Sequence, residues 1–176
     1  MSTSTATYPQ GDTALLGTDL AQELLHSTIP ARLAFVWPDG TPRVVPTWFH
    51  WTGEDVVMVT YTAGPAIGIR HPAARLTALR ANPAVALTID TENNPPRSLA
   101  IRGVARISEV HGIATEYAAA AHRYLGPEAA TEMLAAIDQP GTAPARISVR
   151  PTWVGLLDFV TRLPDVQGGV SGVAKA

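Results

Sequence analysis

Cysteine is absent from the 176-residue chain. That removes disulfides, thiol nucleophiles, thiolate zinc sites and iron–sulfur ligation together. Lysine is nearly absent too: of 13 basic residues only Lys175 is a lysine, near the C-terminal end. The body of the chain therefore offers no Schiff-base lysine, which argues against covalent pyridoxal phosphate chemistry. Arginine supplies the positive charge, and its planar fork suits bidentate phosphate binding. No large charge excess exists, since the formal net charge is -2, so no strong field favours nucleic acid or an anionic membrane. No stretch approaches the ~20 uninterrupted apolar residues of a membrane span. The opening MSTSTATYPQGDTALLG lacks the basic segment and apolar run of a signal peptide, so the expected location is cytoplasmic.

Several nucleotide and catalytic signatures are missing as well. No GxGxxG follows a strand, no GK[ST] phosphate loop occurs, and no GxSxG elbow is found. The histidines, His26, His50, His71, His111 and His122, include no helical metal pair at i, i+3 or i+4. Asp90 and Glu92 share one face of a strand end, where a solvated pair is the simpler reading than a catalytic one.

What remains is ordinary globular material, 46% hydrophobic and 16% charged, enough for one domain to bury roughly two-thirds of its unfolded surface. Residues 1–17 are Ser/Thr/Gly-rich and aperiodic and read as a mobile tail; so does 165–176. Residues 18–164 form the expected domain. A short helix is predicted from Asp19, with Asp19 and Gln22 as a capping pair. Three short-looped strands follow at Ala31–Trp37, Arg43–Trp51 and Val56–Thr62, separated by Pro38-Asp39-Gly40 and Thr52-Gly53-Glu54-Asp55. A Gly/Pro-rich loop, Ala63–Pro72, precedes a helix over Ala73–Ala81 with Leu76 and Leu79 inward. Strands are predicted at Val85–Thr91 and Leu99–Val110, with Gly103 marking a bulge. Two helices, Ile113–Leu125 and Pro127–Ile137, share the Gly126-Pro127 junction. A last strand covers Arg146–Val149 and extends toward Phe159. The sum is a mainly β fold with peripheral helices: about six strands in a Greek-key split β-barrel. The turns are too short for parallel crossovers.

Three features could carry chemistry. In Arg43-Val44-Val45-Pro46-Thr47-Trp48, an arginine opens an apolar strand that contains a proline. Pro46 cannot donate a ladder hydrogen bond, so the strand lies at an edge or is bulged, and its backbone is free for a planar ligand. A bulged barrel strand with a core tryptophan is the plainer alternative. Tyr61-Thr62 places hydroxyls at a strand end, although both are ordinary strand residues. Arg75 stands in the first turn of a helix, where a positive charge opposes the dipole unless an anion is bound. Arg70 and His71 lie just upstream.

In this order and spacing the phrases DGTPRVVPTWFHW, VMVTYT, RLTALRANPAVALTI and LAIRGVARI resemble the pyridoxamine-phosphate-oxidase-like FMN-binding split-barrel superfamily, over roughly Ala31 to Phe159. The similarity is greatest to the branch that uses FMN or an 8-hydroxy-5-deazaflavin coenzyme. The resemblance implies a flavin or deazaflavin oxidoreductase acting on a small organic molecule, and a homodimer with two cofactor sites at its interface. It implies that Arg43–Trp48 line the isoalloxazine ring and help bind phosphate. Tyr61 and Thr62 would stand near the ribityl phosphate, Arg75 would grip the phosphate, and Arg97-Ser98 would approach from a neighbouring strand. The chain departs from the family pattern at three points. Arg75 replaces the usual lysine, and the loop between Thr62 and Arg75 is longer. The C-terminal Arg/His motif that holds the vitamin B6 substrate is missing from WVGLLDFVTRLP, so vitamin B6 oxidation is not expected. The alternative is a non-catalytic carrier of flavin, deazaflavin or haem, and His50 or His71 on the cleft would favour haem.

Overall fold

A computed structural model describes residues 8–64, 68–69, 72–164 and 170–171 of the chain. Seven antiparallel strands form one curled sheet: β1 (Ala31–Val36), β2 (Pro42–Thr47), β3 (His50–Trp51), β4 (Val56–Ala63), β5 (Ala84–Asp90), β6 (Ser98–Glu109) and β7 (Ala143–Leu157). Helices α1 (Asp19–Leu25), α2 (Ala74–Ala81), α3 (Thr115–Leu125) and α4 (Pro127–Ile137) lie around it. A separate two-stranded ladder joins β8 (Leu163–Pro164) to β9 (Val170–Ser171). The mainly β split-barrel expectation therefore holds, with seven strands in the main sheet rather than about six.

The strand order is β2-β1-β5-β6-β7-β4-β3. Its ends are informative. β2 and β3 lie at opposite edges of the sheet, yet only Trp48 and Phe49 separate them in the chain. The three steps from Thr47 to His50 span at most ~11 Å, so the sheet must curl until its edges nearly meet. The three-strand meander expected from the turns is corrected here. β1 and β2 do form a hairpin, pairing Val36 with Pro42 through Ala31 with Thr47. The segment Arg43–Trp51, however, is two strands, and only His50 and Trp51 pair with β4. Pro46 lacks an N–H and sits where β2 has no second neighbour, which is where a sheet tolerates proline.

Period-two alternation puts one apolar face inside. Leu33 and Phe35 of β1, Leu87 and Ile89 of β5, Leu99 and Ile101 of β6, and Ile147 and Val149 of β7 are all buried in one cluster. Leu76 and Leu79 of α2 join it, as their spacing predicted. Each such side chain contributes roughly 1.5–3 kcal/mol by leaving water. The bulge expected at Gly103 is present: the β6–β7 register shifts between Arg102 and Gly103.

Three local expectations change. Thr18, not Asp19, caps α1, its hydroxyl accepting from the Ala21 N–H, while the Gln22 side chain donates to the Leu16 carbonyl. The N-terminal segment is packed from Tyr8 onward, where the composition suggested a mobile tail. Thr13–Gly17 is a 3-10 helix whose Leu15 is fully buried. Ahead of it, Gln10 bonds both the N–H and the carbonyl of Leu156, and the Gly11 N–H donates to the Val154 carbonyl. These bonds cover the β7 edge beyond Val149, which β4 no longer reaches. At the other end, Val170–Ser171 lies in the β8–β9 ladder, and the rest of 165–176 lies outside the described residues. Among the described residues no helix is long and apolar enough to cross a membrane.

Candidate functional site

The curled sheet leaves a seam. β4 has β7 along one edge, but β3 covers its other edge only at Val56 and Val57. β2 has β1 on one edge and no strand on the other. A cleft of about 560 Å³ lies here, lined by Phe35, Trp37, Arg43, Val44, Val45, Thr60, Ala73 and Arg75. Two free strand edges thus border a mostly apolar space. Unpaired backbone N–H and C=O groups need partners, and in a cleft a polar-edged ligand can provide them.

Register decides which β2 side chains enter. Arg43 is the Cα partner of Phe35, and Val45 of Leu33, so both arginine and valine stand on the core face of the hairpin. Val44 and Pro46 face outward, and Val44, 62% exposed, reaches the cleft only from the rim. Arg43 is nonetheless exposed, so its guanidinium stays hydrated at the mouth of the cleft while its stem lies along the apolar face. The Arg43 guanidinium lies 5.5 Å from the centre of the Trp37 ring.

Arg75 enters the cleft from α2. α2 begins behind Ala73, no side chain caps it, and no acidic residue occupies its first turn. Its first N–H groups and its dipole therefore favour an anion. Burial strips water from the Arg75 guanidinium and pushes its pKa below the ordinary arginine value. Among the described residues its buried Nε has no hydrogen-bond partner. Among the described residues no acidic side chain lines the cleft. A half-buried cation with an orphan Nε, a second arginine and an uncapped helix start, all at one cleft, together fit a phosphate.

Of the residues expected to hold a cofactor, the fold brings Arg43, Val44, Val45 and Arg75 to one cleft. Pro46, Thr47 and Trp48 do not line it. Trp48 instead stacks on Tyr124 of α3, centroids 4.9 Å apart and rings 4° from parallel. Tyr61 is also turned away: alternation along β4 sends it under α3, edge-on to Tyr117 at 5.9 Å, where burial raises its pKa far above the usual phenol value. Thr62 is the extra residue of a register shift, and its hydroxyl donates to the Ala143 carbonyl at 2.9 Å. Thr60, two residues before Thr62, is the hydroxyl that reaches the cleft. Arg97 pairs with Glu23 at 2.6 Å in a separate depression beside Asn93–Pro95, and Ser98 starts β6 next to it. Arg70, His71 and much of the long loop lie outside the described residues.

Sequence reasoning missed Phe35, Trp37, Thr60 and Ala73. Strand parity could have found three of them. Trp37 continues the Leu33–Phe35 inward series, and Thr60 shares parity with Met58, whose side chain is in the core.

His50 does not line the cleft. It lies on β3 near Arg123 and Glu116 of α3, and burial first, then the Arg123 charge, lowers its pKa below 6.5. Arg123 also donates to the Phe49 carbonyl, and Glu116 pairs with Arg146 at 2.8 Å. A base with a depressed native pKa takes up protons first in the unfolded chain. Its stabilising effect is therefore complete above about pH 6.5 and is lost as the pH falls below it. Thermal unfolding scans between about pH 7.5 and 5.5 should show His50→Gln flattening the acid-side fall in Tm. Parallel curves for the two proteins would rule this out. Among the described residues no cluster of three His, Asp or Glu is placed to hold a metal.

The family model for pyridoxamine 5'-phosphate oxidase matches residues 18–156, most of the chain. The chain belongs to the pyridoxamine 5'-phosphate oxidase family. Solved structures agree on the fold of this family member. An F420 reductase is 29% identical, covering 76% of this chain and 94% of its own, with a TM-score of 0.56. A putative pyridoxamine 5'-phosphate oxidase from Listeria innocua is 18% identical, covering 80% and 97%, with a TM-score of 0.56. The haem storage protein HutZ from Vibrio cholerae is 18% identical, covering 78% and 90%, with a TM-score of 0.50. No curated protein matches this family member. Proteins of the pyridoxamine 5'-phosphate oxidase family typically bind flavin.

Proposed function

We propose that the seam cleft binds a phosphorylated flavin-type cofactor, FMN or an 8-hydroxy-5-deazaflavin coenzyme, and that the protein is an oxidoreductase for a small organic substrate. The observation that carries this reading is the half-buried Arg75 side chain at an uncapped helix start, its Nε buried and unpaired among the described residues. Such a group is costly in the empty protein and is satisfied by a phosphate. When bound, the cofactor supplies hydride transfer, and the protein supplies position and electrostatics. Arg75 and Arg43 hold the anionic end. Phe35, Trp37 and Val45 exclude water from the planar body. The free β2 edge offers backbone N–H groups to a polar ring edge and favours negative charge that builds there on reduction. Family members are often dimers, which supports a homodimer with a cleft on each copy. The 29%-identical F420 reductase supports the deazaflavin alternative.

The choice of substrate class follows from what is missing. WVGLLDFVTRLP contributes no Arg/His pair to the cleft, so a pyridoxamine phosphate substrate is not proposed. A haem carrier has less support, because His50 lies beneath α3 and no histidine lines the cleft among the described residues.

The colour of the purified protein tests the reading. A yellow protein with the visible spectrum of oxidised flavin, bleached by a reduced nicotinamide and restored by an acceptor, is the expected result. A colourless protein that binds added deazaflavin coenzyme supports the second cofactor. A Soret band, or no affinity for either coenzyme, overturns the proposal.

A further inference from the structure

We propose that Trp37 is a positioning residue that fixes the Arg43 guanidinium at the anion-binding end of the cleft. The inference rests on the cofactor reading above and names a residue to which neither the family motif nor the sequence phrases assign a role.

The hairpin builds the pair. Phe35, an inward residue of β1, faces Arg43 across the ladder, so Trp37 at i+2 is the diagonal neighbour of that arginine on the same face. The turn locks Trp37 in place. Its N–H donates to the Thr41 carbonyl at 2.8 Å, and its carbonyl accepts from the Gly40 N–H at 2.9 Å. Gly40, at φ 83, supplies the left-handed conformation the turn requires. Phe35 backs the indole, with centroids 6.2 Å apart and planes 53° from parallel. The platform is therefore held by backbone on one side and core on the other.

Arg43 has no hydrogen-bonded anchor among the described residues, and its charge acts on the Asp39 carboxylate only at a distance. It forms no ion pair there. The nearby Asp39 carboxylate is committed to Thr41, accepting from its N–H at 2.8 Å and from its hydroxyl at 2.5 Å. Among the described residues three other arginine–aromatic contacts occur: Arg102 on Trp153, and Arg123 on Phe49 and Tyr124. Neither of those arginines lines the cleft. At the seam the ring face holds a cation within about 6 Å, the range over which an aromatic quadrupole attracts it. Without the indole, a long arginine side chain at a strand edge samples many rotamers and pays their entropy when it meets a phosphate. With it, the guanidinium stands ready at the cleft that Arg75 also lines.

The test compares ligands that differ only at the anionic end. FMN and riboflavin are titrated by fluorescence against wild type, Trp37→Leu, Trp37→Phe, Arg43→Gln and the Trp37→Leu/Arg43→Gln double variant. The deazaflavin coenzyme and its phosphate-free chromophore form a second pair. Wild type is expected to prefer the phosphorylated member of a pair. Trp37→Leu should shrink that preference about 2- to 5-fold, and Trp37→Phe, which keeps a ring face, should retain part of it. In the Arg43→Gln background, Trp37→Leu should leave the preference unchanged. Trp37→Phe also serves if the leucine variant folds poorly. If Trp37→Leu lowers affinity for both members equally, or its loss multiplies independently with that of Arg43→Gln, the indole is only a wall and the inference falls while the cofactor reading stands. If wild type binds neither pair, or ignores the phosphate, the cofactor reading falls and this inference with it.

Discussion

Replacing Arg75 with alanine should weaken FMN binding by about 1.5–3 kcal/mol, roughly ten- to a hundredfold. The same substitution should leave the cofactor-free protein as stable as before, or more so. The two signs differ because the same guanidinium has two environments. Without cofactor it is a partly desolvated cation, with Nε unpaired among the described residues and its pKa pushed down by burial. Removing it relieves a desolvation penalty. With a phosphate present it is one half of a charge-assisted, bidentate pair, and removing it leaves the anion facing only Arg43 and the helix start. Arg75→Met preserves much of the volume and makes the contrast sharper: affinity lost, Tm held or raised. Arg75→Lys keeps the charge without the fork and should fall between. Isothermal titration with FMN and a thermal scan of the free protein measure both quantities. Unchanged affinity in Arg75→Ala would remove this residue from the site; a large drop in the Tm of the free protein would mark it as structural.

The largest stability effect is expected at Gly103. A methyl group there would sit inside contact distance of the Arg150 carbonyl and within 2.8 Å of a Val149 methyl. Both neighbours are fixed: Arg150 is the Cα partner of Val104, and Val149 is fully buried. β6 and β7 share the longest ladder in the sheet, so the strands cannot separate locally without breaking it. Overpacking of this kind costs about 1–3 kcal/mol. Gly103→Ala should therefore lower Tm by several degrees, about 2–4 °C per kcal/mol at this chain length. Gly17→Ala is the control, because an added methyl there meets nothing within 4 Å. Equal Tm values for the two variants would show that the bulge relaxes freely.

The legible parts of this protein share a cause. Helix α2, its inward Leu76 and Leu79, the β1–β2 hairpin and the Gly103 bulge are written in neighbouring residues: a 3.6-residue stripe, a Pro-Asp-Gly turn, a glycine inside a β-branched run. Arg75 was legible for the same reason, since a positive charge in a first helical turn is a local anomaly. The packed segment Tyr8–Gly17 was not legible. Its anchors, Gln10 to Leu156 and Gly11 to Val154, lie more than 140 residues away in the chain, and composition carries no trace of them.

By itself the sequence determined a cysteine-free, mainly β domain with arginines in place of lysines, one of them at a helix start. Only the tertiary structure decided which residues share a cleft. It separated Trp48 from Arg43, sending one to Tyr124 and the other to Trp37. It chose Thr60 over Tyr61 and set Arg97 against Glu23. The physical reason is that side chains on a strand alternate every residue, while the facing edge is brought in by a curl of seven strands. A shift of one residue reverses the face, and no local pattern reports where two sheet edges meet.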